Sequence, residues 1–92
     1  METKPKDDVA SSSSLVDEAS DARFIRALGM GVREARARRG MSRKALALHS
    51  DVSERYLAQV ESGETNPSIM VLRHVTHALG INLIGLLEPQ HS

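Results

Sequence analysis

Residues 41–63, MSRKALALHSDVSERYLAQVESG, carry the signals of two short helices joined by a tight turn. Ser42 is a suitable N-cap for the first helix, because a serine side chain accepts a hydrogen bond from an otherwise unpaired amide of the first turn. The apolar face of this helix is Ala45, Leu46 and Ala47. Ala47 is small, as two steeply crossing helices require where their backbones approach. The corner is expected at residues 51–53.

The second helix is expected to begin after Ser53, another N-cap. Leu57 and Val60 form its inner face, and Val52 in the turn is expected to pack into the core beside them. Four side chains are left pointing outward from its first turns: Glu54, Arg55, Ala58 and Gln59. Polar side chains at the front of the second of two crossed helices are typical of a helix-turn-helix, whose second helix enters the DNA major groove.

A dense set of further signals surrounds this pair of helices, between Val32 and Leu87. They include Gly40-Met41-Ser42, Leu46-Ala47, Val52-Ser53, Glu61 with Gly63, Pro67-Ser68-Ile69 and Ala78-Leu79-Gly80-Ile81. The pattern resembles the Cro/C1-type helix-turn-helix family, or XRE family, of phage and bacterial repressors. This resemblance implies an all-α fold, a five-helix lambda-repressor-like DNA-binding bundle. It also implies a sequence-specific transcriptional regulator, most simply a repressor that occupies a palindromic operator as a homodimer.

A narrower resemblance covers Ser53 to Gly63 and Ser68-Ile69. It is to the N-terminal domain of bacterial regulators of aromatic-compound degradation, whose second domain is similar to shikimate kinase. These 92 residues contain no such second domain. Two alternatives to a complete repressor therefore stay open. One is an antitoxin-type protein-interaction module that binds DNA to autoregulate, and the other is the DNA-binding fragment of a longer ligand-sensing regulator.

Length and charge agree with a small DNA-binding domain. A chain of 92 residues allows one small domain, and it has no cysteine for a disulfide or a cysteine-based zinc site. The net charge is zero, yet residues 1–21 hold six acidic residues against two lysines, whereas residues 22–92 hold ten cations against six acids. No apolar run is long enough for a signal peptide or a membrane span. We therefore expect a cytoplasmic, nucleoid-associated protein with a positive face.

The whole chain is expected to divide into an N-terminal tail, one domain that contains the motif, and a short C-terminal segment. Residues 1–20 are polar and acidic and predict a disordered tail. Residues 21–88 predict the helix-turn-helix domain, and residues 89–92 a tail or the start of a linker. The first helix is expected from Asp21, its cap, to Arg39, with an inward stripe of Phe24, Leu28, Val32 and Ala35. Gly29 and Gly31 should weaken it.

Two further helices are expected after the motif. Pro67-Ser68 opens a fourth helix, which Gly80 ends. Its predicted inward residues are Ile69, Leu72, Val75 and Leu79. Asn82 caps a fifth helix that runs through Leu87, and this region is more apolar than one buried face requires. Ile84 and Leu87 are candidates for a two-fold contact, with Met70 or Phe24 as possible neighbours, although a wholly internal core role is an equal alternative.

Specific side chains suit the two kinds of DNA contact. Arg55 can pair with guanine, Gln59 with adenine and Glu54 with cytosine, although Glu54 also suits a structural role at a helix N-terminus. The predicted phosphate contacts are Ser42, Arg43, Lys44, Ser53, Tyr56, Arg38, Arg39 and Asn66. Tyr56 is equally suited to filling a gap beside the first helix. Arg43 stands where the family usually has a glutamine.

Two positions have structural roles by resemblance. Arg36 and Glu61 match residues that form a buried ion pair in similar repressors, which would tie the first helix to the recognition helix. Asp51 stands where the family usually has glycine, because the turn favours a left-handed backbone, and aspartate tolerates that geometry better than most residues.

Enzyme chemistry lacks support in this sequence. It has no phosphate-binding glycine loop and no nucleophile elbow. His74 and His77 lie three residues apart on one predicted helix, but no third metal ligand is near them in sequence. We expect no enzyme activity, no metal and no cofactor, with double-stranded DNA as the main partner and a small-molecule effector only through a further domain.

Overall fold

Five helices and no strand make up residues 4–87, the part of the chain whose backbone the computed structural model describes; side chains are described for residues 18–87. The helices are α1 (Lys4–Arg38), α2 (Arg43–Ser50), α3 (Glu54–Ser62), α4 (Ile69–Leu79) and α5 (Leu83–Leu87). The expected all-α, five-helix architecture is confirmed.

Serine caps start the three central helices at the predicted residues. The Oγ atoms of Ser42, Ser53 and Ser68 accept hydrogen bonds from the amides three residues on, at 2.9, 3.0 and 3.1 Å. The helices end on residues with left-handed backbones, namely Asp51 (φ 60°) after α2 and Gly80 (φ 72°) after α4. Local chemistry at each end therefore sets the lengths of these helices.

The first helix starts earlier than the sequence indicated. It begins at Lys4, so Asp21 lies inside it and is not its N-cap, and the helix also replaces coil over most of the predicted tail. Pro5 falls in the first turn, where proline is tolerated, and no other proline or glycine occurs before Gly29 to stop a helix. None of the described helices, α1 included, combines the length and apolarity needed to cross a membrane.

The core is formed where α1, α3 and α4 meet around Leu46 of α2. Its buried residues are Leu28, Val32, Ala35, Leu46, Val52, Leu57, Val60, Leu72, Val75, Leu79 and Leu86. Two predicted inward residues are wrong: Phe24 is 55% exposed and Ile69 is 65% exposed. Phe24 lies one turn beyond Leu28, the first core residue of α1. Pro67, two residues before Ile69, is buried instead.

Gly29 and Gly31 let α1 approach its neighbours closely. A Cβ atom on Gly29 would lie 2.1 Å from the carbonyl oxygen of Val60 in α3, and one on Gly31 would lie 2.2 Å from that of Leu86 in α5. Such distances do not occur for real Cβ atoms. The two glycines are therefore packing requirements, whereas helix propensity alone indicated only a cost.

Candidate nucleic-acid interface

The outer face of α3 presents polar side chains that the fold leaves unpaired. Glu54 and Arg55 are exposed and Gln59 is half-buried, while Leu57 and Val60 of the same helix are in the core. None of the three polar side chains makes a hydrogen bond or an ion pair with any residue that the structure describes. The face is therefore available to an external partner that offers hydrogen-bonding groups.

The starts of α2 and α3 are two exposed helix N-termini. Ser42 and Ser53 are both exposed and both cap a helix start, so unpaired amides and the positive ends of α2 and α3 are found there. Lys44 is exposed in the first turn of α2. This combination of amides and a cation suits the oxygen atoms of phosphate groups.

Arg36 and Glu61 form a nearly buried ion pair between α1 and α3. Arg36 Nε and Nη2 donate to the two oxygens of Glu61 at 2.8 and 2.9 Å, and Nη1 donates to the backbone oxygen of Met41 at 3.0 Å. The side chains are 15% and 3% exposed, respectively. Hydrogen bonding to Glu61 raises the pKa of the Arg36 guanidinium, against the lowering effect of its burial. The pair joins α1 to α3, as the family resemblance implied for Arg36 and Glu61. The Arg36 guanidinium is therefore used within the domain and does not face a ligand.

Arg43 also contacts Glu61, a contact that sequence analysis missed. Its Nε donates to Glu61 Oε1 at 3.4 Å, and its side chain is 39% exposed. Arg43 comes from the start of α2 and Glu61 from the last turns of α3, so only the crossing of the two helices brings them together. Glu61 is therefore shared by two arginines, and the three side chains together carry one net positive charge.

The other predicted phosphate contacts differ in their surroundings. Arg39 points to the end of α4, where Nη1 donates to the carbonyl oxygen of Leu79 at 2.7 Å, so it serves as a helix C-cap contact. One terminal nitrogen of Arg39 is therefore used within the domain, and its role as a phosphate contact stays a prediction. Arg38 and Asn66 are exposed, Asn66 in the loop between α3 and α4. Tyr56 is half-buried and packs against the core, as its alternative role requires.

An apolar face lies on α4 and α5, away from the buried core. Its exposed members, with their exposed fractions, are Ile69 (65%), Met70 (50%), Leu83 (37%), Ile84 (63%) and Leu87 (43%). A groove of about 330 Å³ lies between the two helices and is lined by Ile69, Leu72, Thr76 and Leu83, among others. The two predicted interface residues, Ile84 and Leu87, are thus both on the surface.

The histidines do not form a metal centre within residues 18–87. His74 and His77 are exposed on α4 and, with His49 and Arg73, line a groove of about 450 Å³ between α2 and α4. Across these described side chains, no three His, Cys, Asp or Glu residues are grouped so that they could hold a metal ion. His49 and His77 lie in the last turns of their helices, where a basic side chain complements the negative end of the helix dipole.

Comparison with known proteins places this arrangement in a family. A helix-turn-helix family model matches residues 32–86. The transcriptional regulator SlrR of Bacillus subtilis is 38% identical over 64 residues, which is 68% of this chain and 42% of SlrR. SinR, from the same organism, is 32% identical over 65 residues, which is 70% of this chain and 59% of SinR. The chain thus spans about half the length of these two regulators.

Two solved structures share the fold. The restriction-modification controller protein C.AhdI from Aeromonas hydrophila is 31% identical with a TM-score of 0.66, covering 67% of this chain and 94% of its own. The clp gene regulator ClgR from C. glutamicum is 38% identical with a TM-score of 0.67, covering 70% of this chain and 82% of its own. On the strength of the matched residues and the shared fold, this chain belongs to the Cro/C1-type helix-turn-helix family.

Proposed function

We propose that this protein is a sequence-specific DNA-binding transcriptional regulator that acts as a repressor, in the cytoplasm at the nucleoid. It binds a palindromic operator as a homodimer and excludes polymerase by occupying the promoter. The observation that carries the proposal is the outer face of α3, where exposed Arg55 and half-buried Gln59 have no partner in residues 18–87. These are the side chains whose donors and acceptors match base edges in the major groove.

The groups around this face supply the phosphate contacts, which give affinity for DNA and fix the position of α3 along the groove. The amides at the starts of α2 and α3, together with Arg43 and Lys44, contact phosphates on either side of the groove that α3 enters. Arg38 and Asn66 are outer phosphate contacts. Ser42 and Ser53 contribute through the helix starts that they cap, and Tyr56 through its hydroxyl group. Glu54 is a candidate base contact beside Arg55.

The homodimer is assigned to the apolar face on α4 and α5. Five large apolar side chains on α4 and α5, between 37% and 65% exposed, favour burial against a second copy. A homodimer in contact through Ile84 and Leu87 must place its two α3 helices in successive major grooves, about 34 Å apart. That geometry requires an inverted repeat in the DNA.

A second candidate is the DNA-binding part of a longer regulator. The chain spans 42% of SlrR and 59% of SinR, so relatives carry this module together with further sequence. An effector would then act on a domain outside these 92 residues.

The experiment is selection of binders from a random-sequence duplex pool, followed by titration of the winners at several salt concentrations. We expect an inverted repeat with half-site centres about 10 base pairs apart. Arg55→Ala should weaken binding to the selected operator by about 1–3 kcal/mol and relax base preference at one position in each half-site. The matched control is Lys44→Ala, which should weaken all sequences similarly and reduce the salt slope by about one.

The outcomes test separately whether Arg55 contacts a base and whether the chain binds a specific DNA sequence. Equal loss on every sequence for Arg55→Ala would remove that residue as a base contact. A failure to enrich any sequence from the pool would contradict sequence-specific binding by this chain and favour a protein-interaction role.

A further inference from the structure

Arg43 is held at one edge of its guanidinium and open at the other. Its Nε donates to Glu61, while its two terminal nitrogens make no hydrogen bond to any residue the structure describes. Arg43 is the first residue of α2, next to the cap residue Ser42, and therefore belongs to the positive end of that helix. Two terminal nitrogens present donors in the fork geometry that fits a phosphate.

Glu61 does not neutralise Arg43. Its carboxylate already accepts two short hydrogen bonds from Arg36, at 2.8 and 2.9 Å, and the bond from Arg43 is longer, at 3.4 Å. One carboxylate between two guanidiniums leaves one positive charge. Arg36 is the inner arginine, with a 15% exposed side chain, and Arg43 the outer one, at 39%. The surplus charge is therefore on the side that faces solvent.

We infer that Glu61 is a positioning residue for DNA binding: it restrains the Arg43 side chain so that its terminal nitrogens face a phosphate at the start of α2. An arginine side chain loses rotamer entropy when it binds, and a restraint already present in the unbound protein reduces that loss. The inference rests on the proposed function. It adds that the buried carboxylate contributes to affinity through Arg43 as well as to folding through Arg36.

A double-mutant cycle on duplex selected by the wild-type protein tests this positioning. Glu61→Gln removes a negative charge near DNA, which by itself strengthens binding, so its effect is compared with and without Arg43. In the Arg43→Gln background the charge effect and the disturbance of the Arg36–Glu61 pair both remain, so both cancel in the coupling. We expect Glu61→Gln to be less favourable for binding in the presence of Arg43, by about threefold to tenfold in Kd. The same cycle with Lys44, which has no contact to Glu61, should show no coupling.

The sign of the coupling decides between two physical pictures. If Glu61 instead competes with phosphate for Arg43, Glu61→Gln strengthens binding more when Arg43 is present, and the positioning role is overturned. Zero coupling overturns it as well. If Arg43→Gln changes neither the affinity nor the salt slope, the phosphate contact in the proposed function fails, and the inference fails with it.

Arg43→Lys gives a second test that leaves the Arg36–Glu61 pair intact. Lysine keeps the charge but has a single ammonium, which cannot be tethered at one edge and present a fork at the other. We expect an unchanged salt slope and a Kd at least about threefold weaker than wild type. Equal affinity for the arginine and lysine proteins would refute the inference, because charge alone would then explain the contact.

Discussion

Replacing Gly29 by alanine should destabilise the fold, although helix propensity predicts the opposite. The added Cβ would lie 2.1 Å from the Val60 carbonyl oxygen and 2.9 Å from that of Glu61. To reach an ordinary contact, α1 and α3 must separate by roughly 1 Å, and close-packed interiors resist such shifts. A backbone oxygen cannot rotate away, so we place the cost at the upper end of overpacking, about 3 kcal/mol. The gain in propensity offsets about 1 kcal/mol.

The net loss of about 2 kcal/mol corresponds to a Tm lowered by about 8–16 °C in a domain of this size. Thermal and urea unfolding followed by far-ultraviolet circular dichroism measure it. Gly85→Ala is the matched control, because its Cβ would lie 3.5 Å from the nearest atom, Cβ of Ile81, and should stabilise α5 by about 0.5–1 kcal/mol. A Gly29→Ala protein as stable as wild type would refute the close approach of the two helices.

Three further outcomes are expected. Arg36→Ala leaves the 3% exposed carboxylate of Glu61 with only its longer contact to Arg43, and should lower the free energy of unfolding by about 3–5 kcal/mol in chemical denaturation. Arg43→Ala should lower it by less than about 1 kcal/mol. Equal losses would contradict the assignment of Arg36 as the inner arginine and Arg43 as the outer one. Asp51→Gly should stabilise by about 0.5–1 kcal/mol because φ is 60° there, with Asp51→Ala as the destabilised comparison. Ile84→Glu should convert the proposed dimer to a monomer in analytical ultracentrifugation. The monomer should stay folded, because the Ile84 side chain is 63% exposed. A dimer that persists in this variant would contradict an interface at Ile84.

Features with local causes could be predicted from the sequence. The serine caps at Ser42, Ser53 and Ser68 and the stop at Gly80 depend on a side chain and an amide a few residues away, so the chain order contains the whole interaction. The inner positions Leu57 and Val60 followed from helical spacing. The polar face of α3 followed in turn, because it is what the buried positions leave outside.

Features that depend on two separate elements could not be predicted from composition or periodicity. Gly29 has no local signal that distinguishes a weak helix position from a close helix crossing. Arg39 is one of eight Arg and Lys residues between Arg23 and Lys44, and the sequence does not distinguish it from the others. Only the packing of α1 beside the end of α4 shows that its guanidinium donates to the Leu79 carbonyl oxygen. Ile69 fits the spacing of the buried stripe, but as the first residue of α4 it is 65% exposed.

The sequence by itself thus determined the helices, their caps and the side chains that face outward, because these depend on neighbours within about one helical turn. Tertiary structure alone decided how close α1 lies to α3 and which arginines are used internally. It also brought Arg43 to a carboxylate that is 18 residues away in the chain. The physical reason is that a distance between two helices depends on every side chain between them, whereas a cap depends on one.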